Sequence, residues 1–198
     1  MTVAIQRLNE SIRATLVAHF LALPMKDRSL RFGASLPPKV IAAYVDGIDF
    51  DHDAVFGVQD DRLELVGVAH VAFEDDLAEV GLSVLPAYRG RGLGRALFER
   101  AMAHARNRRI PMLFMHYLWE NAPIMRIAQR FRMAIVARAG EADAHLRLPR
   151  ASLVSIIGEF VTDTLARCDL MLKALVAVWN HHRRTGRQSA PTGDRSTL

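Results

Sequence analysis

The feature that most constrains this chain is a glycine-rich turn between an apolar strand and a helix. Leu82-Ser83-Val84-Leu85 runs into Pro86, then into Arg89-Gly90-Arg91-Gly92-Leu93-Gly94-Arg95, and Leu97, Ala101, Met102 and Ala105 follow at helical spacing. A strand that turns through glycines into a helix is an anion site. Glycine admits backbone conformations closed to other residues and lets a ligand come close. The unpaired N–H groups of the first helical turn point at that ligand, and the helix dipole adds positive charge. Arg89, Arg91 and Arg95 add full charges, so a diphosphate is the natural occupant.

Three kinds of phosphate loop compete for this reading. A dinucleotide fingerprint requires G-x-G-x-x-G with a carboxylate about 20 residues on. Here Gly94 follows Gly92 too closely. A nucleotide P-loop requires G-x-x-x-x-G-K-S/T, which the chain lacks.

The segment Leu82–Arg95 resembles the central motif of the GNAT N-acetyltransferases, whose loop reads Gln/Arg-x-x-Gly-x-Gly/Ala. Arg89, Gly92 and Gly94 fill its three defined positions. Downstream, Glu120-Asn121-Ala122-Pro123-Ile124-Met125-Arg126-Ile127-Ala128-Gln129-Arg130-Phe131 resembles the family's second conserved helix. The likeness covers residues 54–138 well, the N-terminal helices loosely, and the last helix not at all. It implies an α/β fold: a mixed, mostly antiparallel sheet of about six to seven strands flanked by helices. It also implies acetyl-CoA as co-substrate, direct attack of an amine on the thioester, and no metal. Leu82, Ser83 and Val84 would pair with the pantetheine arm and the carbonyl oxygen through their backbone. Gly90, Arg91, Gly92, Leu93, Gly94 and Arg95 would take the diphosphate behind Arg89, and Asn121 would touch the coenzyme while capping its helix.

One departure stands out. The family often places a thiolate-protonating Tyr where this chain has Ala128, leaving Tyr117, Tyr88 or water for that task. For the base, His116 ends a strand where some members carry a catalytic Glu, and an imidazole suits proton transfer from an amine. Glu79 lies opposite the apolar set Ala78, Val80, Leu82 and Val84 on its strand. His70 is a third candidate. Each reads equally as an ordinary strand residue.

Around this unit, residues 1–150 read as one acetyltransferase-like domain. Thr2–Leu8 reads as a strand. Ser11 is a candidate N-cap for a helix to Leu23, with Ile12, Leu16, His19 and Phe20 on one face. Pro24 stops it, and Pro37-Pro38 opens another helix. Strands are expected over 54–58, 63–73, 78–85, 111–118, 133–137 and 144–148, with helices over 94–108 and 121–131. Asp27-Arg28-Ser29-Leu30-Arg31-Phe32 resembles a segment of some bacterial protein-lysine acetylases and so implies a protein lysine as one acceptor class. The acidic stretch Asp46 to Asp53 reads as a solvated turn, since it lacks the Gly and Glu of a calcium loop.

Residues 151–184 read as one long amphipathic helix. Its stripe of Leu153, Ile156, Ile157, Phe160, Val161, Leu165, Leu172, Leu175, Val176 and Trp179 is expected to pack on the domain or on a second copy, giving a homodimer. Residues 185–198 are polar and glycine-containing, in the manner of a disordered tail.

The single cysteine, Cys168, reads as a buried structural residue and allows no internal disulfide. Together with the absence of a signal peptide and of a run approaching the roughly 18 apolar residues of a membrane span, it points to the cytoplasm. The net charge of +5 comes from dispersed arginines rather than a patch, so nucleic acid is not the expected partner. Two other classes remain open: a coenzyme-binding regulator without turnover, permitted by Ala128, and a nucleic-acid-binding module.

Overall fold

The computed structural model describes residues 4–187, and at 153, 154, 160, 172 and 175–187 the backbone only. Seven strands form one sheet in the order β1-β2-β3-β4-β5-β7-β6. They are β1 (Gln6–Leu8), β2 (Ala54–Gln59), β3 (Leu65–Glu74), β4 (Leu77–Val84), β5 (Met112–Leu118), β6 (Ala134–Arg138) and β7 (Glu141–Arg147). Every neighbouring pair is antiparallel except β4 and β5. That exception follows from the connection: α4 (Leu93–Asn107) carries the chain back across the sheet, as a parallel pair requires.

The parallel pair is short. β4 and β5 are in register from Leu77↔Met112 to Glu79↔Phe114. Beyond that β4 stays with β3 as far as Gly67↔Val84, and β5 stays with β7 as far as Leu118↔Glu141. The two strands therefore splay, and the sheet opens in the middle. Leu85 N–H donates to the Val66 carbonyl at 2.9 Å. Backbone groups alternate between the two edges of a strand, so the N–H and C=O of Leu82 and Val84 point the other way, into the gap.

Side-chain alternation divides the core into two layers. Ala78, Val80 and Leu82 of β4 pack with Leu97, Phe98 and Ala101 of α4 and with Leu113, Met115 and Tyr117 of β5; Ala128 of α5 (Ala122–Arg130) joins them. Glu79, Gly81 and Ser83 face the opposite side. That side is covered by α1 (Arg13–Ala22), α2 (Met25–Phe32) and α3 (Pro38–Asp46) through Leu16 and Phe20, Phe32, and Ile41 and Val45 respectively. The division expected for β4 is the one observed.

Two local expectations change. Asn9, not Ser11, caps the first helical turn: its Oδ1 accepts from Ser11 N at 3.1 Å and from Ser11 Oγ at 2.6 Å. A 3₁₀ turn over Glu10–Ile12 then precedes α1. The helix Met25–Phe32 was not expected. Its sequence is charged and short of apolar residues, and no residue in it is fully buried.

The last helix, α6 (Leu153–Arg187), runs past the expected boundary at 184, and residues 188–198 of the expected tail lie outside the described residues. Its polar face is the one turned inward. Arg100 of α4 sits 2.7 Å from Glu159 and also pairs with Asp163, while His104 Nδ1 lies 2.6 Å from Glu159. Burial pushes the Glu159 carboxyl up, but hydrogen bonds from His104, Arg100 and Asn107 outweigh it and bring its pKa down to about 2. Ile156, Ile157, Val161 and Leu165 are exposed, so this part of the stripe does not pack on the domain. The side chains of Leu153, Phe160, Leu172, Leu175, Val176 and Trp179 lie outside the described residues. Cys168 is exposed, contrary to expectation, because it faces away from α4 and β1.

Candidate active site

The opening between β4 and β5 continues into a cleft of about 400 Å³ roofed by α2, α4 and α5. Leu82, Ser83 and Val84 line it, as do Arg89, Gly90, Gly92, Leu93, Gly94, Arg95 and Asn121. The fold thus gathers every coenzyme residue expected from the sequence except Arg91. That guanidinium donates to the Ala87 carbonyl at 3.2 Å and stacks on Tyr88, 5.3 Å from the ring centre.

The loop owes its shape to two glycines with positive φ, Gly90 at 74° and Gly92 at 80°. Ala96 N–H is the first to reach back into the turn, bonding the Gly92 carbonyl at 3.0 Å. The amides of Leu93, Gly94 and Arg95 precede it and have no intrahelical acceptor. Gly94 serves differently: a Cβ there would lie 3.6 Å from Ile127 Cδ1, an ordinary contact.

Two of the three loop arginines already have carboxylate partners. Arg89 donates from Nε to the Val84 carbonyl at 3.0 Å and pairs with Asp27 at 2.9 Å, which ties the loop to β4 and α2. Arg95 pairs with Glu99 at 2.8 Å. Two further arginines were not expected here. Arg126 and Arg130 of α5 both line the cleft, and neither has a carboxylate partner among the described residues. Their i, i+4 spacing puts them on one helix face, which was the available signal. Asn121 is buried and occupied at both ends: Oδ1 accepts from Ile124 N at 3.3 Å, and Nδ2 donates to the Leu30 carbonyl at 3.2 Å.

Beneath β4, Ser83 Oγ lies 2.8 Å from His19 Nε2, and His19 Nδ1 lies 2.7 Å from the Leu65 carbonyl. Burial lowers the His19 pKa to about 4, against the hydrogen bond to Leu65 and with help from the Arg31 charge. The imidazole is therefore neutral: Nδ1–H donates to Leu65 and Nε2 accepts from the serine.

At the splayed end, Gly81 and His116 are the first residues past the last β4–β5 pair whose side-chain positions share the α1–α3 face of the sheet. His116 is 40% exposed, and its Nδ1 lies 2.8 Å from Asp143 of β7. That hydrogen bond holds the Asp143 carboxyl below the usual range, with burial acting against it. Glu141 stands 3.7 Å from Nε2. Glu79 is exposed on the same face, across from Phe114. Neither His116 nor Glu79 lines the coenzyme cleft itself.

His70 is buried between the Tyr44 hydroxyl at 2.7 Å and Asp53 at 3.0 Å. Asp53 thereby leaves the solvated acidic turn for a structural contact. Burial is the main cause lowering the His70 pKa. Of the two tyrosines weighed as acids, Tyr88 gives its hydroxyl to Asp60 at 2.6 Å. Tyr117 is buried and its hydroxyl has no partner among the described residues, but it does not line the cleft. Ala128 is fully buried. Among the described residues no helix is long and apolar enough to cross a membrane, and no group of His, Cys, Asp or Glu is arranged to hold a metal.

Residues 25–131 match the acetyltransferase (GNAT) family. No curated protein matches the chain. Solved structures share its fold. The GNAT domain of S. lividans PAT superposes with a TM-score of 0.63 at 19% identity, over 73% of this chain and 89% of that one. A putative acetyltransferase from Salmonella typhimurium, yncA, seen with its cofactor acetyl-CoA, gives 0.58 at 15% identity over 77% and 97%. The PaiA N-acetyltransferase from Thermoplasma acidophilum, in complex with coenzyme A, gives 0.57 at 12% identity over 74% and 99%.

Proposed function

The chain belongs to the GNAT acetyltransferase family, and from that premise we propose that it moves the acetyl group of acetyl-CoA directly to the primary amine of an acceptor. The observation that carries this reading is the alignment, along one cleft, of an amide-rich helix start with a strand edge that has lost its partner. The amides of Leu93, Gly94 and Arg95 take the diphosphate, with Arg126 and Arg130 supplying charge for further phosphate. The gap-facing backbone of Val84 and Leu82 pairs with the pantetheine arm as a missing β-neighbour would. The Leu82 N–H then meets the thioester carbonyl oxygen and stabilises the negative charge that develops on it.

His116 is the base. Asp143 accepts from Nδ1–H, which fixes the tautomer and leaves the Nε2 lone pair for the amine proton. The amine nitrogen bonds to the carbonyl carbon, its proton passes to Nε2, and the C–S bond breaks. Water protonates the departing thiolate, since the Tyr88 hydroxyl is held by Asp60 and Tyr117 lies outside the cleft. Glu79, exposed beside the last strand pair, serves to attract the cationic acceptor rather than to deprotonate it. The setting is cytoplasmic. A second copy of the chain covers the exposed α6 stripe, an assignment that sedimentation of the wild type against Ile157→Glu/Leu165→Glu tests.

Turnover is read as free thiol released from acetyl-CoA across a panel of amines. His116→Ala should lower kcat by roughly 10²–10⁴-fold, with the KM for acetyl-CoA little changed. Coenzyme binding without thiol release on any amine would favour a regulatory protein instead.

A further inference from the structure

Arg31 is the least explained charge in the molecule. It is half-buried in the wall of the cleft, and no carboxylate lies within ion-pair distance of it among the described residues. Its one hydrogen bond among the described residues runs from Nη2 to the Tyr44 hydroxyl at 2.8 Å. Its Nε is buried without a partner. The rings of Phe20, Phe32 and Tyr44 surround the guanidinium at 5.7, 4.9 and 5.6 Å. The nearby acids are engaged elsewhere: Asp27 pairs with Arg89, and Asp53 with His70.

A glycine leaves room for it. The guanidinium lies over Gly81, where any Cβ would collide with it. Gly81 is the first residue past the last β4–β5 pair on this face, and His116 is its counterpart across the gap. A fixed cation thus stands on one lip of the opening and an imidazole on the other. The diphosphate end of the cleft lies past Val84, at the far end of β4. The Tyr44–His70–Asp53 relay holds one edge of the fork: Tyr44 accepts from Nη2 and donates to His70 Nδ1, and His70 donates from Nε2 to Asp53.

We infer that Arg31 is the receptor for a carboxylate carried by the acceptor, which makes the acceptor a small amino acid, with its amine toward His116 and its carboxylate on the guanidinium. This rests on the acetyl-transfer reading above and narrows it. An arginine withdrawn from water without a counter-ion carries a desolvation cost that a bidentate carboxylate relieves. The same positive charge beside the amine disfavours its protonated form, and only the free amine can attack.

The test compares thiol release with the twenty L-amino acids, their C-terminal amides and a lysine-containing peptide, for wild type, Arg31→Met and Arg31→Lys. Calorimetric titration with coenzyme A checks that each variant is folded. The expected result is a preference for at least one amino acid over its own amide of roughly 100-fold in kcat/KM. Arg31→Met should erase that preference, Arg31→Lys should restore part of it, and the KM for acetyl-CoA should stay within about two-fold. Equal turnover of acids and amides, turnover of the peptide alone, or an Arg31→Met effect confined to acetyl-CoA would overturn the inference while leaving the acetyltransferase reading intact. Coenzyme binding with no thiol release above the amine-free background on any amine would defeat both.

Discussion

In the proposed reading, backbone meets the coenzyme along the cleft, whereas side chains meet the acceptor at the splayed mouth beside it. The coenzyme end consists of amides that follow directly from the chain's path: Gly90 and Gly92 turn it, α4 begins, and Leu93, Gly94 and Arg95 present their N–H groups. The proposed acceptor end draws on Arg31 from α2, Tyr44 from α3, the absent side chain of Gly81 from β4, His116 from β5 and Asp143 from β7. A backbone site is specified by consecutive residues and tolerates many side chains. A side-chain site is specified by packing between elements far apart in sequence, and one substitution can redirect it.

The seam between the two ends is His19, which holds Ser83 from below, and it offers the largest expected effect. Unfolded, His19 takes up a proton near its ordinary pKa of about 6.5; folded, only near 4. Between those values the unfolded state carries more protons, so stability is intact above pH 6.5 and falls as the pH drops toward 4, by up to about 3 kcal/mol. Burial lowers the His70 pKa as well, in the same sense. Urea unfolding across that range should show the slope, and His19→Gln should flatten it. An unchanged slope would remove His19 from the seam.

Next in size is a test of the backbone end alone. Gly92→Val forces a β-branched residue into φ 80°, a strain of about 1–3 kcal/mol that the loop relieves by losing its ligand-binding shape. The coenzyme Kd should rise by up to roughly 100-fold by calorimetry. Gly94→Ala, with only ordinary contacts to Ile127 and Val84, should bind nearly as wild type. If the two variants behave alike, the distinction between the glycines fails.

The smallest effect belongs to the side chains that serve the coenzyme end. Arg126→Ala and Arg130→Ala should each raise the KM for acetyl-CoA about 3–10-fold at low salt, less at high salt, with kcat unchanged. A fall in kcat instead would place α5 at the acceptor end and blur the contrast.

The same contrast explains what was legible in the sequence. The glycine loop, the alternation of Glu79, Gly81 and Ser83 against Ala78, Val80 and Leu82, and the Asn121 cap are local patterns, readable as written. His116 was visible as a residue, but its partner Asp143 comes from a strand paired beside β5, and no spacing announces that register. The segment 27–32 stands out in the sequence as a resemblance, but not as a helix, because the amphipathic signal of α2 is carried by charges rather than an apolar stripe, and so no site role for Arg31 is legible there. The polar inward face of α6 inverted the usual rule. Glu159 and Asp163 are drawn in because Arg100 and His104 already lie buried on α4, so Ile156, Ile157, Val161 and Leu165 are left outside.

The central claim is that the start of α4 grips a diphosphate while the β4 edge takes the arm behind it. A crystal structure with coenzyme A tests it most directly. Diphosphate oxygens should lie about 3 Å from the amides of Leu93, Gly94 and Arg95, with the arm laid along Leu82 to Val84. Coenzyme density on any other surface, with those amides facing only solvent, would contradict it.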